Sequence, residues 1–188
     1  ARPTVVYTNN CSEKYSRSLQ ITKKLQAGET TDKFSFKIWL LNQNNEELIP
    51  YANGKYYLQD ARGNYYYYND AGALVSNESV EKPCGTTSTD GIISNVPVNY
   101  KVTIKGILAG TSFKVEETGL DSNRYNNPEI SVSNAGESEV EGVGSIQFGE
   151  DANVIVTNSL KSQDTVEDET FIEVSKTFKG LTAAQIGE

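Results

Sequence analysis

SLQITKKLQAG, residues 18–28, alternates with the period of a β-strand. Leu19, Ile21, Lys23 and Leu25 fall on one face, and the residues between them on the other face are all polar. A strand of this kind turns its apolar face towards a core and its polar face towards water. Lys23 is therefore predicted to place an ammonium group among buried aliphatic side chains.

The same alternation recurs along the chain, in stretches separated by clusters of Gly, Asn and Asp. These stretches are KFSFKIWLLN (33–42), NYKVTIKGI (99–107), TSFKVEET (111–118) and NVIVTNS (153–159). Because helical periodicity is nearly absent, we expect an all-β fold, an antiparallel sandwich or barrel. The turn-forming run GILAGT (106–111) further predicts that strands 99–107 and 111–118 form a hairpin.

The composition excludes several classes of function. The 188 residues carry a net charge of -8 and have a pI near 4.7, which disfavours nucleic acid and anionic membranes as partners. No stretch approaches the ~20 apolar residues of a membrane-spanning helix, so no membrane insertion is expected. Because the chain has no His, it can form neither a Ser–His or Cys–His nucleophile nor a His-ligated metal site. We predict no metal and no cofactor.

The chain has two cysteines, Cys11 and Cys84. An even number fits one disulfide in an oxidising, extracellular setting, and this disulfide would close a loop of 84 − 11 = 73 residues. Two unrelated free thiols are the alternative.

Residues 51–95 are predicted to form a long irregular insertion around YANGKYYLQDARGNYYYYNDAG (51–72). Its tyrosine run would suit a surface hairpin with two aromatic faces. One interpretation makes this run a contact surface for a host protein or glycan, formed by Tyr65, Tyr66, Tyr67 and Tyr68. The other has these tyrosines, with Tyr56 and Tyr57, packing on the sandwich to brace the insertion.

Two pairs of segments repeat at nearly one period. TVVYTNN (4–10) matches NVIVTNS at an offset of 149, and FIEVSKTFKGL (171–181) matches the opening stretch at an offset of 153. Chance similarity between short β patterns is the alternative, but the shared offset favours tandem domains of about 150 residues. The chain would then hold the last strand of a preceding domain (1–10), a complete domain (11–160), a linker (161–170) and the first strand of a following domain (171–188).

Three polar residues lie on apolar faces: Lys23, Glu117 after Phe113 and Val115, and Asn158 after Val154 and Val156. Burial lowers the pKa of a lysine and raises that of a carboxyl group. A neutral amine is a nucleophile, a protonated carboxyl can move protons, and an asparagine carboxamide is an electrophile. Together they can form a Lys–Asn amide and release ammonia.

Each of the three has a plainer interpretation. Lys23 could protect an edge strand, Glu116 could take the place of Glu117, and Asn158 could be a turn residue at a strand end. The alternation assigns the surface positions to Lys24 and Glu116 instead.

Residues 18–160 resemble the collagen-adhesin B-type (Cna-B) domain in three motifs: I-x-K of the first strand, FKVEE after Gly110–Thr111, and V-x-V-T-N of the last strand. The resemblance implies an immunoglobulin-like β-sandwich with an autocatalytic isopeptide bond between Lys23 and Asn158, assisted by Glu117. It also implies a stalk or pilin module on the surface of a Gram-positive bacterium, anchored to the cell wall. The insertion at 51–95 and the cysteine pair depart from the general pattern of that family.

The predicted function is therefore structural, with neighbouring domains of the same protein as partners. A ligand-binding adhesin module that uses the tyrosine-rich insertion is the alternative. We do not predict an enzyme, because the crosslink is a single-turnover reaction and no carboxylate pair, such as Asp60 with Asp70, is placed in a pocket by the sequence.

Overall fold

A computed structural model describes residues 15–42, 47–77 and 81–161, and these contain fourteen β-strands and no α-helix. The strands are β1 (Ser16–Leu25), β2 (Lys33–Asn42), β3 (Glu47–Pro50), β4 (Lys55–Gln59), β5 (Tyr65–Tyr68), β6 (Leu74–Asn77), β7 (Gly85–Thr86), β8 (Ile92–Pro97), β9 (Lys101–Leu108), β10 (Ser112–Thr118), β11 (Glu129–Ser133), β12 (Ala135–Gly136), β13 (Val143–Ile146) and β14 (Ala152–Asn158). In this part of the chain no helix is long and apolar enough to cross a membrane.

The strands form two sheets that enclose one core. The first sheet has the order β11-β14-β1-β9-β4-β5-β6, with β7 also paired to β4, and the second has the order β12-β13-β10-β2-β3, with β8 also paired to β2. This confirms the predicted all-β, immunoglobulin-like antiparallel sandwich. Among the described strands, β1 and β14 form the only parallel pair.

The predicted alternation of buried and exposed residues is confirmed in the strands that line the core. Fully buried apolar side chains come from both sheets and include Leu19, Ile21, Phe36, Ile38, Val102, Ile104, Phe113, Val154 and Val156. On the inward faces of β1 and β14 these side chains are completely buried, so a polar group beside them is strongly desolvated.

The predicted hairpin between 99–107 and 111–118 is wrong. The turn exists, since the Thr111 N–H donates to Leu108 O at 3.1 Å and Gly110 has a φ of 88°. However, the chain crosses there from the first sheet to the second, and β10 pairs with β2 and β13. Strands β9 and β10 each turn an apolar face to the same core. The alternating pattern therefore fits a connection between the two sheets as well as it fits a hairpin within one sheet.

The 51–95 segment is more regular than the sequence predicts. Strand β4 pairs with β9 and extends the first sheet, while the tyrosine run forms β5 between β4 and β6. The predicted two-faced aromatic strand is present, but it is the middle of a three-stranded meander. Residues 1–10, Cys11, residues 162–170 of the proposed linker and residues 171–188 lie outside the described residues.

Candidate functional site

Lys23 and Asn158 come together because β1 and β14 are parallel neighbours. In their register Lys23 lies opposite Val156, and Asn158 lies opposite Leu25. The two-residue period of both strands then turns Lys23 and Asn158 to the same, inward face. Each is 0% exposed, which is unusual for an ammonium and a carboxamide.

Glu117 reaches this point from the other sheet. Its strand β10 faces β1 across the core, and Glu117 Oε1 lies 2.7 Å from Lys23 Nζ, with 1% of the glutamate side chain exposed. The neighbouring Glu116 is on the surface, where it forms an ion pair with Lys114 at 3.0 Å. The structure thus places Glu117 in contact with Lys23 and leaves the rival carboxylate outside, while Asn158 lies on the neighbouring strand with its side chain on the same inward face as Lys23.

The polar atoms of this cluster have unusually few partners. Among the described residues, six buried side-chain polar atoms lack a hydrogen bond, and five of them belong to Lys23, Glu117 and Asn158. The 2.7 Å contact of Lys23 with Glu117 is an ion pair that does not meet the angles of a hydrogen bond. Lys23 Nζ and Glu117 Oε1 still partner each other in this ion pair, so the atoms left with no partner are Glu117 Oε2 and the two amide atoms of Asn158. A buried polar group without a partner destabilises a fold by about 1–3 kcal/mol.

The electrostatics of the site favour a reactive amine. Desolvation by burial lowers the pKa of Lys23 below its ordinary value of 10.5, and the opposing attraction of Glu117 only partly offsets it. A lysine in this setting reaches the neutral, nucleophilic state more easily than a surface lysine does.

Phe34 is a member of the site that the sequence reasoning did not identify. Its ring centroid lies 4.2 Å from Lys23 Nζ, and its side chain is almost completely buried. The alternation of 33–42 predicts one apolar face formed by Phe34, Phe36, Ile38 and Leu40, and the burial of Phe34 agrees with it. The alternation could not show which inward aromatic residue meets Lys23, because that depends on how the two sheets cross.

The four predicted ligand-binding tyrosines fall into two pairs. Tyr66 and Tyr68 pack against the core, and the Tyr68 hydroxyl donates to the carbonyl oxygen of Asn95. Tyr65 and Tyr67 lie on the other face of β5. There Tyr65 meets Tyr57 at a centroid distance of 6.3 Å, and Lys82 Nζ lies 4.0 Å from the centroid of Tyr67.

Cys84 is buried beside Tyr56, and burial raises the pKa of its thiol. Because Cys11 lies outside the described residues, the Cys11–Cys84 disulfide stays a prediction. The described part of the chain contains no group of three or more His, Cys, Asp or Glu side chains that could hold a metal ion.

Fold and site together define an immunoglobulin-like sandwich domain with a buried Lys–Glu–Asn cluster between its first and last core strands. The chain belongs to the family described as "Domain of unknown function (DUF7601)", whose model matches residues 17–160. The comparison with curated proteins found no match.

Several solved structures show a remote likeness in fold. The major pilin protein T3.2 of Streptococcus pyogenes is 14% identical with a TM-score of 0.46, and the match covers 78% of this chain and 45% of that one. The T-13 major pilin of the same species is 16% identical with a TM-score of 0.43, over 78% and 45% of the two chains. The pilus-presented adhesin Cpa is 19% identical with a TM-score of 0.40, over 76% and 27%. The match therefore spans less than half of each of these proteins, and at such TM-scores nothing about function follows from it.

Proposed function

We propose that this chain is a structural module of a bacterial cell-surface stalk or pilus, stabilised by an autocatalytic isopeptide bond between Lys23 and Asn158. The observation that carries the proposal is the buried cluster of Lys23, Glu117 and Asn158, whose polar atoms lack hydrogen bonds. Formation of an amide removes the ammonium charge and the unpartnered amide nitrogen at once. It therefore accounts for why the core tolerates all three residues.

The reaction balances with the groups present. Lys23 first passes a proton to Glu117, which lies 2.7 Å away, and the neutral Nζ then attacks Cγ of Asn158. Glu117 carries protons from the amine to Nδ2 of Asn158, which leaves as ammonia. One C–N bond replaces another, so the step needs no oxidant and no cofactor. Because it occurs once per molecule, the protein is not an enzyme in the ordinary sense.

The position of the bond suits a load-bearing domain. The described sandwich begins with β1 and ends with β14, so a pull on the chain enters and leaves through the two strands that the bond would join. The crosslink would close a loop of 158 − 23 = 135 residues. By analogy with a disulfide, a loop of this length adds about 5 kcal/mol to the free energy of unfolding. Tension would then pass through the bond rather than through most of the sheet, and thiols could not reverse it.

The wider setting is also part of the proposal. The repeats at 4–10 and 171–181 support tandem domains of the same protein as partners, with Asn9 and Lys176 in the corresponding positions of the neighbours. A disulfide between Cys11 and Cys84 would fit an extracellular, cell-wall-anchored location.

Intact-mass measurement of the purified chain tests the bond. We expect a mass below that of the sequence by one ammonia, and by two further hydrogens if the cysteines are paired. The Lys23→Ala variant should have its full sequence mass, because it cannot release ammonia. The matched control is Lys24→Ala, which changes the exposed neighbour and should still lose one ammonia. A wild-type chain with its full sequence mass would refute the bond.

A second candidate function, a ligand-binding adhesin module, is favoured by the outward face of the tyrosine-rich meander. Tyr57, Tyr65 and Tyr67 lie on that face, with Lys82 and Lys105 stacked on two of the rings. Lys105 also forms an ion pair with Glu81, so the charge offered to a ligand comes from Lys82. Aromatic rings beside an ammonium group suit a sugar or peptide that carries an acidic group.

Binding of the wild-type protein to glycan and matrix-protein arrays tests this second function. Specific binding that is lost in Tyr65→Ala and Tyr67→Ala would support it. The control is Ile155→Ala, which changes an exposed residue on β14 of the same sheet. Absence of binding, or equal loss in the control, would count against it.

A further inference from the structure

Two aromatic rings lie between the Lys23 amine and the protein surface. The Phe34 ring covers Nζ at 4.2 Å, and Tyr125 meets Phe34 edge-on at a centroid distance of 5.6 Å. Tyr125 is only 3% exposed. Beyond both rings is a surface cavity of about 580 Å³, which they line together with Asp32, Thr118 and Arg124.

The hydroxyl of Tyr125 is held by hydrogen-bonding partners. The Tyr125 O–H donates to Asp32 Oδ2 at 2.7 Å and lies 3.0 Å from Thr30 Oγ1. Asp32 is held in turn by an ion pair of 2.8 Å with Arg124, and its N–H donates to Thr30 Oγ1 at 3.1 Å. The phenol is thus attached to the segment that leads into β2, the strand of Phe34.

The backbone around Tyr125 connects the strands that carry Glu117 and Asn158. Tyr125 follows the end of β10, and its segment pairs with the residues just after β14. Asn126 N–H donates to Ser159 O at 3.0 Å, and Lys161 N–H donates to Arg124 O at 2.9 Å. The backbone of Tyr125 is therefore joined to the residues that follow both β10 and β14.

We infer that Tyr125 is a positioning residue for the Lys23–Asn158 reaction: its ring closes the site against water, and Asp32 holds that closure. This inference rests on the proposed function, because it concerns the same bond. It adds that bond formation waits for the 119–126 segment to dock. The bond would then form only in a sandwich that has already assembled its two end strands.

The physical reason is the desolvation of the amine. Burial is the largest influence lowering the pKa of Lys23. If water entered from the cavity, that influence would weaken, and the pKa of Lys23 would return towards its ordinary value, which favours the protonated amine. A protonated amine cannot attack the carboxamide, so an open site would react slowly and only as the pH rises.

Refolding kinetics test the inference on the full 188-residue chain. The chain is produced as an insoluble fusion, dissolved in guanidinium chloride, where the site cannot assemble, and diluted into buffers between pH 6 and 9. Loss of ammonia is followed by intact mass. Tyr125→Ser should react at least about tenfold more slowly at pH 7, with a rate that rises with pH, because its amine returns towards ordinary basicity.

Three further variants separate closure of the site from a general defect in the core. Tyr125→Phe keeps the ring and loses the hydroxyl contacts to both Asp32 and Thr30, whereas Asp32→Ala keeps the ring and its contact to Thr30 but loses the acceptor at 2.7 Å. We expect a slowing of about fivefold in Asp32→Ala, the effect of one hydrogen bond, and at least as much in Tyr125→Phe. Tyr56→Ser is the matched control, because Tyr56 is a core tyrosine of comparable burial on β4, and its rate should equal that of the wild type.

Equal slowing in Tyr56→Ser, or a wild-type rate and pH profile in Tyr125→Ser, would overturn the inference. If Tyr125→Ser does not fold, Asp32→Ala decides: a wild-type rate in that variant also overturns it.

A labelling experiment does not depend on the bond at all. In Asn158→Ala, where no bond can form, Lys23 should resist acetylation, whereas in Asn158→Ala with Tyr125→Ser it should be acetylated at neutral to mildly basic pH. Lys24, which is exposed, serves as the internal control and should react in both. Equal protection of Lys23 in both proteins would contradict the role of Tyr125. A wild-type chain that never loses ammonia would instead contradict the proposed function, so the two failures are distinguishable.

Discussion

The end of the sandwich that holds Lys23, Glu117 and Asn158 differs from the tyrosine-rich meander of β4–β6 in how its polar side-chain atoms are partnered. At the first, five polar atoms of Lys23, Glu117 and Asn158 are buried without hydrogen bonds. In the second, the inward tyrosines direct their hydroxyls to acceptors: Tyr66 donates to Asp60 at 3.3 Å, and Tyr68 donates to a backbone carbonyl. No described residue of β4–β6 has a buried polar atom without a partner.

This difference separates two reasons for placing polar atoms near a core. In the meander, the hydroxyls of the half-buried Tyr66 and Tyr68 each find an acceptor, and these tyrosines pack against the core beneath an extension of the first sheet. The Lys23 cluster departs from the rule that buried polar groups are hydrogen-bonded, and the proposed bond would remove the departure at Lys23 and Asn158. The following experiments change one region at a time, from the largest expected effect to the smallest.

Removal of the electrophile should produce the largest change in stability. Asn158→Ala cannot form the bond, so we expect its free energy of unfolding to fall by about 5 kcal/mol or more. Denaturant titration followed by circular dichroism measures this. Asn153→Ala on the outward face of the same strand is the control and should change stability by less than about 1 kcal/mol. Equal losses in the two variants would mean that Asn158 contributes only as an ordinary strand residue.

Removal of the acid should change the rate of bond formation more than the fold. Glu117→Gln keeps the shape of the side chain but cannot exchange protons, so we expect the reaction to slow by about 10²–10⁴-fold. The unreacted fraction is read from the intact mass over time. Glu116→Gln, one residue away on the surface, should react like the wild type. A full-speed reaction in Glu117→Gln would remove Glu117 from the mechanism.

The pH dependence of stability should reveal the buried amine when the bond is absent. In Asn158→Ala, the lowered pKa of Lys23 means that the unfolded chain binds more protons than the folded one between that pKa and 10.5. Stability should therefore rise with pH through this window. The reference is Asn158→Ala combined with Lys23→Met, which has the same tyrosines and lacks the amine. Parallel pH profiles for the two proteins would show that Lys23 is not desolvated.

Changes in the meander should be small and should leave the bond intact. Tyr68→Phe loses one hydrogen bond to a carbonyl, so we expect about 1 kcal/mol less stability and normal release of ammonia. Thermal unfolding and intact mass on the same sample check both points. Incomplete bond formation in this variant would show that the two regions are coupled, contrary to the comparison drawn above.

Much of the fold could be read from alternation alone. Period-two patterns placed the inward faces of β1, β2, β10 and β14 correctly, because a strand with one buried face has few other ways to arrange its side chains. The same patterns could not assign β9 and β10 to different sheets. A turn fixes where the chain reverses, but the partners of each strand depend on contacts that are distant in sequence, here with Ile146 of β13.

The candidate site was partly visible for the same reason. The sequence identifies three polar residues that each interrupt an alternating row of apolar residues: Lys23, Glu117 and Asn158. Such an interruption can be recognised from the sequence alone, without knowledge of the fold. Phe34 and Tyr125 gave no such signal, since buried aromatic residues are ordinary core residues. Their positions depend on how the two sheets cross and on the pairing of residues 124–126 with 159–161, which are contacts between residues distant in sequence.

A protease digest of the wild-type chain analysed by tandem mass spectrometry tests the central claim most directly. The account predicts one branched peptide in which Nζ of Lys23 is joined to Cγ of Asn158, with a mass one ammonia below the sum of its two linear parts. Two separate linear peptides of full mass, with Lys23 cleavable by trypsin and Asn158 intact, would contradict it.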